Sequence, residues 1–143
     1  NIFPVAMERC IVKLDAKSES KKIERWQKIA EVAAKQSKRD SIPNIKNVIN
    51  IKNICNEVPK YDIIVLAYEN EEKTTLKETL KSLNKEKQLK IGIIIGPEGG
   101  LSEKEVEILI EAGAKSVTLG KRILRTETAS LVMLSDIIYE FEL

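Results

Sequence analysis

The sequence has no histidine. That absence removes Ser-His-Asp and Cys-His nucleophilic machinery, imidazole metal sites and imidazole acid–base catalysis. Chemistry must instead run on carboxylates, lysine, arginine, hydroxyls, backbone groups or a cofactor. Cysteine is nearly as scarce. Cys10 and Cys55 are isolated, too few for a zinc site or a disulfide framework. Both read as small hydrophobes in a reducing, cytoplasmic setting, with no metal. Aromatics make up only 4%, so Ile, Leu, Val and Ala must build the core. No apolar run approaches the roughly 20 residues that span a bilayer, so no membrane partner is expected. The opening NIFPVAMERC has no initiator Met and no signal-peptide layout, which reads as a piece of a longer protein.

What is present fits one globular domain of 143 residues, 43% apolar and 32% charged. The net charge of +2 is too small to indicate nucleic-acid binding by itself, but its distribution is uneven. Residues 17–39 hold eight bases against three acids. A second basic knot is Lys121, Arg122 and Arg125, and after it come only the acids Glu127, Asp136, Glu140 and Glu142. The first cluster, taken alone, reads as a solvated helix face.

Periodicity predicts an amphipathic helix over 21–38, with Ile23, Trp26, Ile29, Ala30, Ala33, Ala34 and Ser37 on one face. Ser18 and Ser20 are its start signal. NIKNVIN (44–50) alternates like a short strand, and 51–57 suits one or two helical turns. YDIIVLAYE (61–69), KIGIIIG (90–96) and KSVTLG (115–120) are continuous apolar runs of the kind buried in parallel sheets. Helices are predicted over 74–83, from Ser102 to about Ala112, and over 126–141, with a loop at 84–88. Ser102 and Glu105 have capping-box spacing, and Gly113 ends that helix. Leu131, Leu134, Ile137, Ile138 and Phe141 form an inward stripe on the last helix, serving core, dimer interface or both. Strands alternating with helices make an α/β fold with a mostly parallel sheet covered on both faces. Ligands then sit beyond the C-terminal strand ends, at 66–69, 96–100 and 119–129.

The loop GPEGG (96–100) joins a strand to a Ser-capped helix. It lacks the G-x-G-x-x-G of a dinucleotide fold and the Gly-Lys-Ser/Thr ending of a P-loop. Glu98 would also oppose a phosphate. A tight strand-to-helix turn is the plain alternative. The second loop, LGKRILRTETA (119–129), puts Leu119, Ile123 and Leu124 among charged residues. Thr126 is a plausible N-cap of the last helix and Glu127 suits its first turn. Together the loops suggest a pocket of backbone hydrogen-bonding groups and apolar walls. Such a pocket suits an adenine and a sulfonium better than a triphosphate.

IGPEGGLSEKEVE (95–107), then TLGKRILRTETASL (118–131) and a closing helix, resemble the RsmE family of the SPOUT methyltransferase superfamily. MERCIVKLD (7–15), ERWQKIAEVAAKQSKRDSIPNI (24–45) and the YDIIVLAYE run match in order, so the resemblance covers nearly the whole chain. It implies S-adenosylmethionine (SAM)-dependent methylation of uridine N3 in 16S ribosomal RNA, within the small ribosomal subunit. It implies a SPOUT α/β domain spanning 1–143, a C-terminal deep trefoil knot, a homodimer, and an N-terminal PUA-like barrel that these residues do not contain. Knots are rare exceptions to the connection rules, and periodicity alone suggests none.

Carried over by position, the resemblance implies a cofactor site of Leu66, then Gly96, Pro97, Gly99 and Gly100, then Leu119, Gly120, Ile123, Leu124 and Thr126. Glu8, Arg9, Gln36, Arg39 and Arg122 match RNA-binding positions, and Arg125, Glu127 and Glu98 match catalytic ones. Arg125 is the candidate stabiliser of a uracil anion, with Glu98 or Glu127 as proton acceptor. The alternatives are a SPOUT enzyme on another RNA and a non-catalytic RNA-binding module.

Overall fold

The computed structural model describes residues 1–12 and 15–142; Lys13 and Leu14, inside the matched 7–15 segment, and Leu143 lie outside them. The chain divides into two compact units: residues 1–6 with 11–50, and residues 7–10 with 51–143.

The first unit is built on one long helix. Strand β1 (Val5–Ala6) pairs in parallel with β2 (Ile49–Asn50), and an isolated bridge joins Ile2 to Ile45. The predicted strand over 44–50 therefore reduces to its last two residues. Helix α1 (Ala16–Gln36) starts earlier than the sequence suggests, because Asp15 is its N-cap. The Asp15 carboxylate accepts from the Ser18 N–H at 2.7 Å while Ser18 Oγ accepts from the Asp15 N–H at 3.1 Å. Ser18 is thus the reciprocal half of the cap rather than its start. Gln27 holds the return chain with both ends of its amide: it donates to the Pro43 carbonyl and accepts from the Ile45 N–H. Ala34 is buried, but Ile29 is 55% exposed and Ala33 is exposed. The inward face is therefore narrower than the periodicity implied.

The second unit carries the main sheet. Strands β3 (Ile63–Ala67), β4 (Ile91–Ile95) and β5 (Lys115–Val117) lie parallel in the order β4-β3-β5. Register runs from Ile63 opposite Ile91 to Ala67 opposite Ile95, and Ala67 also faces Val117. The strands are shorter than the apolar runs that mark them. At the entry to β3, Asp62 turns outward. Its carboxylate accepts from Lys87 Nζ and from the Lys90 N–H, which holds it below the usual carboxylate range. At the exit of β5, residues 118–120 leave the sheet, keeping one isolated bridge from Thr118 to Thr75.

Side chains alternate across a strand, so β3 feeds both faces. On one face Val65 and Val117 meet Leu76 and Leu80 of α3 (Leu76–Lys81) and Met133 of α5 (Thr126–Phe141). Ile64, Leu66 and Ile94 point the opposite way and are also buried. Buried with them are Ile54 of α2 (Ile51–Glu57), Val58 in the following 3-10 turn, and Val106 and Leu109 of α4 (Glu103–Glu111). Helix α4 has the expected capping box of Ser102 and Glu105. It ends in a Schellman pair, with the Gly113 N–H on the Ile110 carbonyl and the Ala114 N–H on the Leu109 carbonyl.

Helix α5 spans the predicted residues, but its inward stripe is different. Ala129 and Met133 are buried, with Ile137 and Phe141 packed against the core. Leu131, Leu134 and Ile138 are exposed at 68%, 48% and 37%. The i, i+4, i+8 line through Ala129 takes the sheet side, which rotates the leucines outward.

Met133 touches both sheet and α3 residues of the core cluster and is fully buried. Met133→Ala should cost about 2–5 kcal/mol in urea unfolding, whereas Leu131→Ala should cost less than about 1 kcal/mol in the monomer. Equal losses would contradict this orientation of α5.

Candidate functional site

Parallel strands deliver their C-terminal ends to one edge, and here that edge carries three loops around a cleft of about 1360 Å³. That exceeds the roughly 300–1,000 Å³ usual for a small-molecule pocket, so it has room for part of a larger substrate as well. Backbone bonds tie the loops together. The Tyr68 N–H donates to the Val117 carbonyl at 3.1 Å, and the Thr118 N–H to the Thr74 carbonyl at 2.8 Å. On the other side, Thr126 Oγ1 donates to the Gly96 carbonyl at 3.3 Å.

That last bond changes the reading of Thr126. It is the first residue of α5 rather than its N-cap; Arg125 occupies the cap position in an extended conformation and supplies no side-chain cap. The threonine hydroxyl is drawn instead to the neighbouring loop. Glu127 keeps its predicted place in the first turn.

The GPEGG loop turns tightly, with the Gly100 N–H on the Pro97 carbonyl at 2.8 Å. Gly100 has φ +70°, and a Cβ there would lie 2.3 Å from Glu69 Oε1. The left-handed φ favours glycine, and any side chain there would also have to push the Glu69 carboxylate aside. Gly120 differs. Its φ is +110°, but nothing lies within 4 Å of where its Cβ would be. The backbone there faces open space, as a wall presented to a ligand would. Its N–H is held by Thr118 Oγ1 at 3.2 Å.

Of the sequence-derived cofactor positions, Gly96, Pro97, Gly99, Gly100, Leu119, Gly120, Ile123, Leu124 and Thr126 all line the cleft. Leu66 does not. Its side chain is fully buried on the sheet face opposite Val65, and Ala67, Tyr68 and Glu69 meet the cleft in its place. Glu98, Arg122, Arg125 and Glu127 line it too. Among the described residues no ion pair ties up any of these four charges. Arg9 lies beside the cleft loop, donating from Nη1 to the Gly99 carbonyl at 3.1 Å. Glu8 is exposed and engages through its backbone N–H, on Glu105. Gln36 and Arg39 are exposed residues of the first unit.

The segment expected after β3, 66–69, stops short of Glu71, Glu72 and Thr75, which also line the cleft. Glu71 is a structural acid. Its carboxylate accepts from the N–H groups of Thr74 and Lys73, at 3.0 and 2.9 Å, and those bonds hold it below the usual glutamate range. The only signal for this loop was its place after a buried strand. Among the described residues no group of three or more Cys, Asp or Glu side chains is arranged to hold a metal ion.

The arrangement favours a neutral or cationic nucleoside-like ligand: glycine backbone and apolar side chains form the walls, while Glu98, Arg122, Arg125 and Glu127 sit at the margins. Residues 1–138 match the RNA methyltransferase domain family. The chain is 43% identical to the ribosomal RNA small subunit methyltransferase E of Bacillus subtilis, over 99% of the chain and 56% of that protein. It is 34% identical to the protein of the same name from Mesomycoplasma hyopneumoniae, over 96% of the chain and 57% of that protein. The chain thus spans about half the length of these relatives. A solved ribosomal RNA small subunit methyltransferase E from Neisseria gonorrhoeae, bound to S-adenosyl methionine, superposes with a TM-score of 0.81 at 32% identity, covering 96% of this chain and 54% of that one. With a cleft of this make-up on a parallel sheet, and these likenesses along nearly its whole length, the chain belongs to the RNA methyltransferase domain family.

Proposed function

We propose that the chain is the SAM-binding catalytic domain of a 16S rRNA methyltransferase that modifies N3 of a uridine. The observation that carries this reading is the glycine-backbone cleft with Arg125, Glu127 and Glu98 at its margin, none of them in an ion pair among the described residues. The relative from Neisseria gonorrhoeae, solved with SAM, supports the cofactor. The Bacillus subtilis relative's name supports small-subunit rRNA as the substrate.

When bound, SAM supplies an electrophilic methyl group on a sulfonium. The loop backbone at Gly96–Gly100 and Leu119–Leu124 would hold its adenosine end, and Thr126, anchored on Gly96, would fix the gap between the two walls. Uracil N3 is a poor nucleophile until it loses its proton. Arg125 would stabilise the resulting charge on O2 or O4, and Glu98 or Glu127 would accept the proton. N3 then bonds to the methyl carbon while the carbon–sulfur bond breaks, its electron pair staying on sulfur. Arg9 and Arg122 would meet phosphate or base edges, along with Gln36 and Arg39. Glu8 serves through its backbone.

The same reading includes a homodimer, a C-terminal deep trefoil knot and a cytoplasmic site of action. The exposed Leu131, Leu134 and Ile138 stripe is the dimer surface in this account. No described helix is long and apolar enough to cross a membrane.

Calorimetry with SAM, and transfer of labelled methyl to small subunits lacking the modification, test the reading. Arg125→Ala should lower the transfer rate by about 100-fold while the SAM Kd changes less than about threefold. Gly120→Val should abolish SAM binding while the fold persists. No binding at millimolar SAM would overturn the proposal. For the dimer, Leu131→Asp with Leu134→Asp should halve the mass seen by light scattering, and an unchanged mass would place the interface elsewhere.

A further inference from the structure

Residues 7–10 form a turn closed by the Cys10 N–H on the Met7 carbonyl at 3.2 Å, with Glu8 and Arg9 at its apex. This turn is tied to α4 across 97 positions of sequence. The Glu8 N–H donates to Glu105 Oε1 at 2.8 Å. The other carboxylate oxygen, Oε2, accepts from the Ser102 N–H at 3.0 Å and from its hydroxyl at 3.2 Å. Glu105 is only 6% exposed.

A capping box alone would accept glutamine as well as glutamate. All three partners of Glu105 are donors in this arrangement, and they use both oxygens. A glutamine amide would have to turn its NH2 toward a donor on one side or the other. The carboxylate therefore does more than cap α4: it clamps the 7–10 turn to the helix that the GPEGG loop leads into. Arg9 is the residue so placed. Its backbone rests on Gly99, where a Cβ would lie 3.2 Å from Arg9 Cβ and 3.4 Å from the Arg9 carbonyl oxygen. Its Nη1 bonds the Gly99 carbonyl, which leaves further guanidinium donors at the loop.

We propose that Glu105 is a positioning residue: by holding the Glu8 backbone it fixes Arg9 on the GPEGG loop, ready to take a phosphate of the RNA substrate. An arginine whose backbone is already held loses less freedom when it binds. The RNA part rests on the function proposed above; the clamp itself does not.

The test compares Glu105→Gln, Arg9→Ala, their double variant and Ser102→Ala in the full-length protein. Readouts are KM for small-subunit rRNA, kcat, the SAM Kd and hydrogen exchange at the Glu8 amide. Glu105→Gln and Arg9→Ala should each raise KM for RNA by about tenfold, and the double variant should be no worse than either. The SAM Kd should stay within about twofold of the wild type. The Glu8 amide should exchange faster in Glu105→Gln. Ser102→Ala removes the cap hydroxyl and one of the three donors to Glu105 but keeps the Ser102 and Glu8 backbone donors, so it should lower Tm while KM for RNA and Glu8 exchange change far less than in Glu105→Gln.

Independent, multiplying effects of Glu105→Gln and Arg9→Ala would overturn the proposal. So would a loss of SAM affinity equal to the loss for RNA, or unchanged exchange at Glu8. If Glu105→Gln does not fold, Glu105→Asp serves instead: the shorter carboxylate cannot span the Glu8 N–H and Ser102 together, so it should reproduce the Arg9→Ala defect and speed Glu8 exchange, and unchanged KM and exchange would overturn the proposal. Should the wild type methylate no rRNA, the RNA part falls with the function reading, while Glu8 exchange still decides the clamp.

Discussion

The pairing of β3 with strands on both sides is the constraint on which the second unit depends. Five residues of β3 run in register with β4, and three of them also pair with β5. Because all three strands are parallel, their carboxyl ends meet at one edge. The core on each face fixes the register, since a slip of one residue would exchange Val65 with Leu66 across the sheet. Both are fully buried, so the slip would misfit both faces at once. Holding the register in turn holds three loops at mutual hydrogen-bond distance, from Tyr68 to Val117 and from Thr126 to Gly96. The cleft is thus a consequence of strand pairing, and its walls can be glycine backbone because the sheet does the positioning.

The cleft's electrostatics follow from where its charges are satisfied. Glu71 is occupied by two backbone donors and shapes its own loop. Glu69 lies against Gly100 and fills the space a side chain would need there. Arg125, Glu127 and Glu98 have no ion-pair partner among the described residues and remain available to a ligand. This division between acids that build and charges that wait suits a site whose cofactor is held by backbone and whose substrate brings the negative charge.

Much of this was legible in the sequence, for identifiable reasons. Buried parallel strands need continuous apolar runs, and three such runs marked β3, β4 and β5 within a few residues. The Ser102–Glu105 box and Gly113 bounded α4 because caps are local chemistry. The two glycine-bearing loops were found because glycine at a strand end has few other uses. What escaped notice was non-local. Glu105 reads as a cap residue, and nothing in its neighbourhood of sequence reveals Glu8 as a partner. Thr126 was misread as a cap because the competing acceptor, the Gly96 carbonyl, lies 30 positions away. Leu66 shares an apolar run with the cleft, but alternation points its side chain into the core. On α5, Ile137 and Phe141 of the expected stripe pack against the core, but Leu131, Leu134 and Ile138 face outward while Ala129 and Met133 take the inner places, a choice that residue type alone does not reveal. An outward apolar stripe is itself informative, as exposed surface of that kind marks an interaction face.

In our proposal the three loops at the carboxyl edge of β4-β3-β5 form one binding site for SAM. Backbone amide shifts in a two-dimensional NMR titration with SAM test it directly. Saturable changes are expected in residues 67–75, 96–100 and 118–127, with all three segments titrating at a single Kd. Changes confined to one loop, changes centred on α1, or no changes at millimolar cofactor would contradict it.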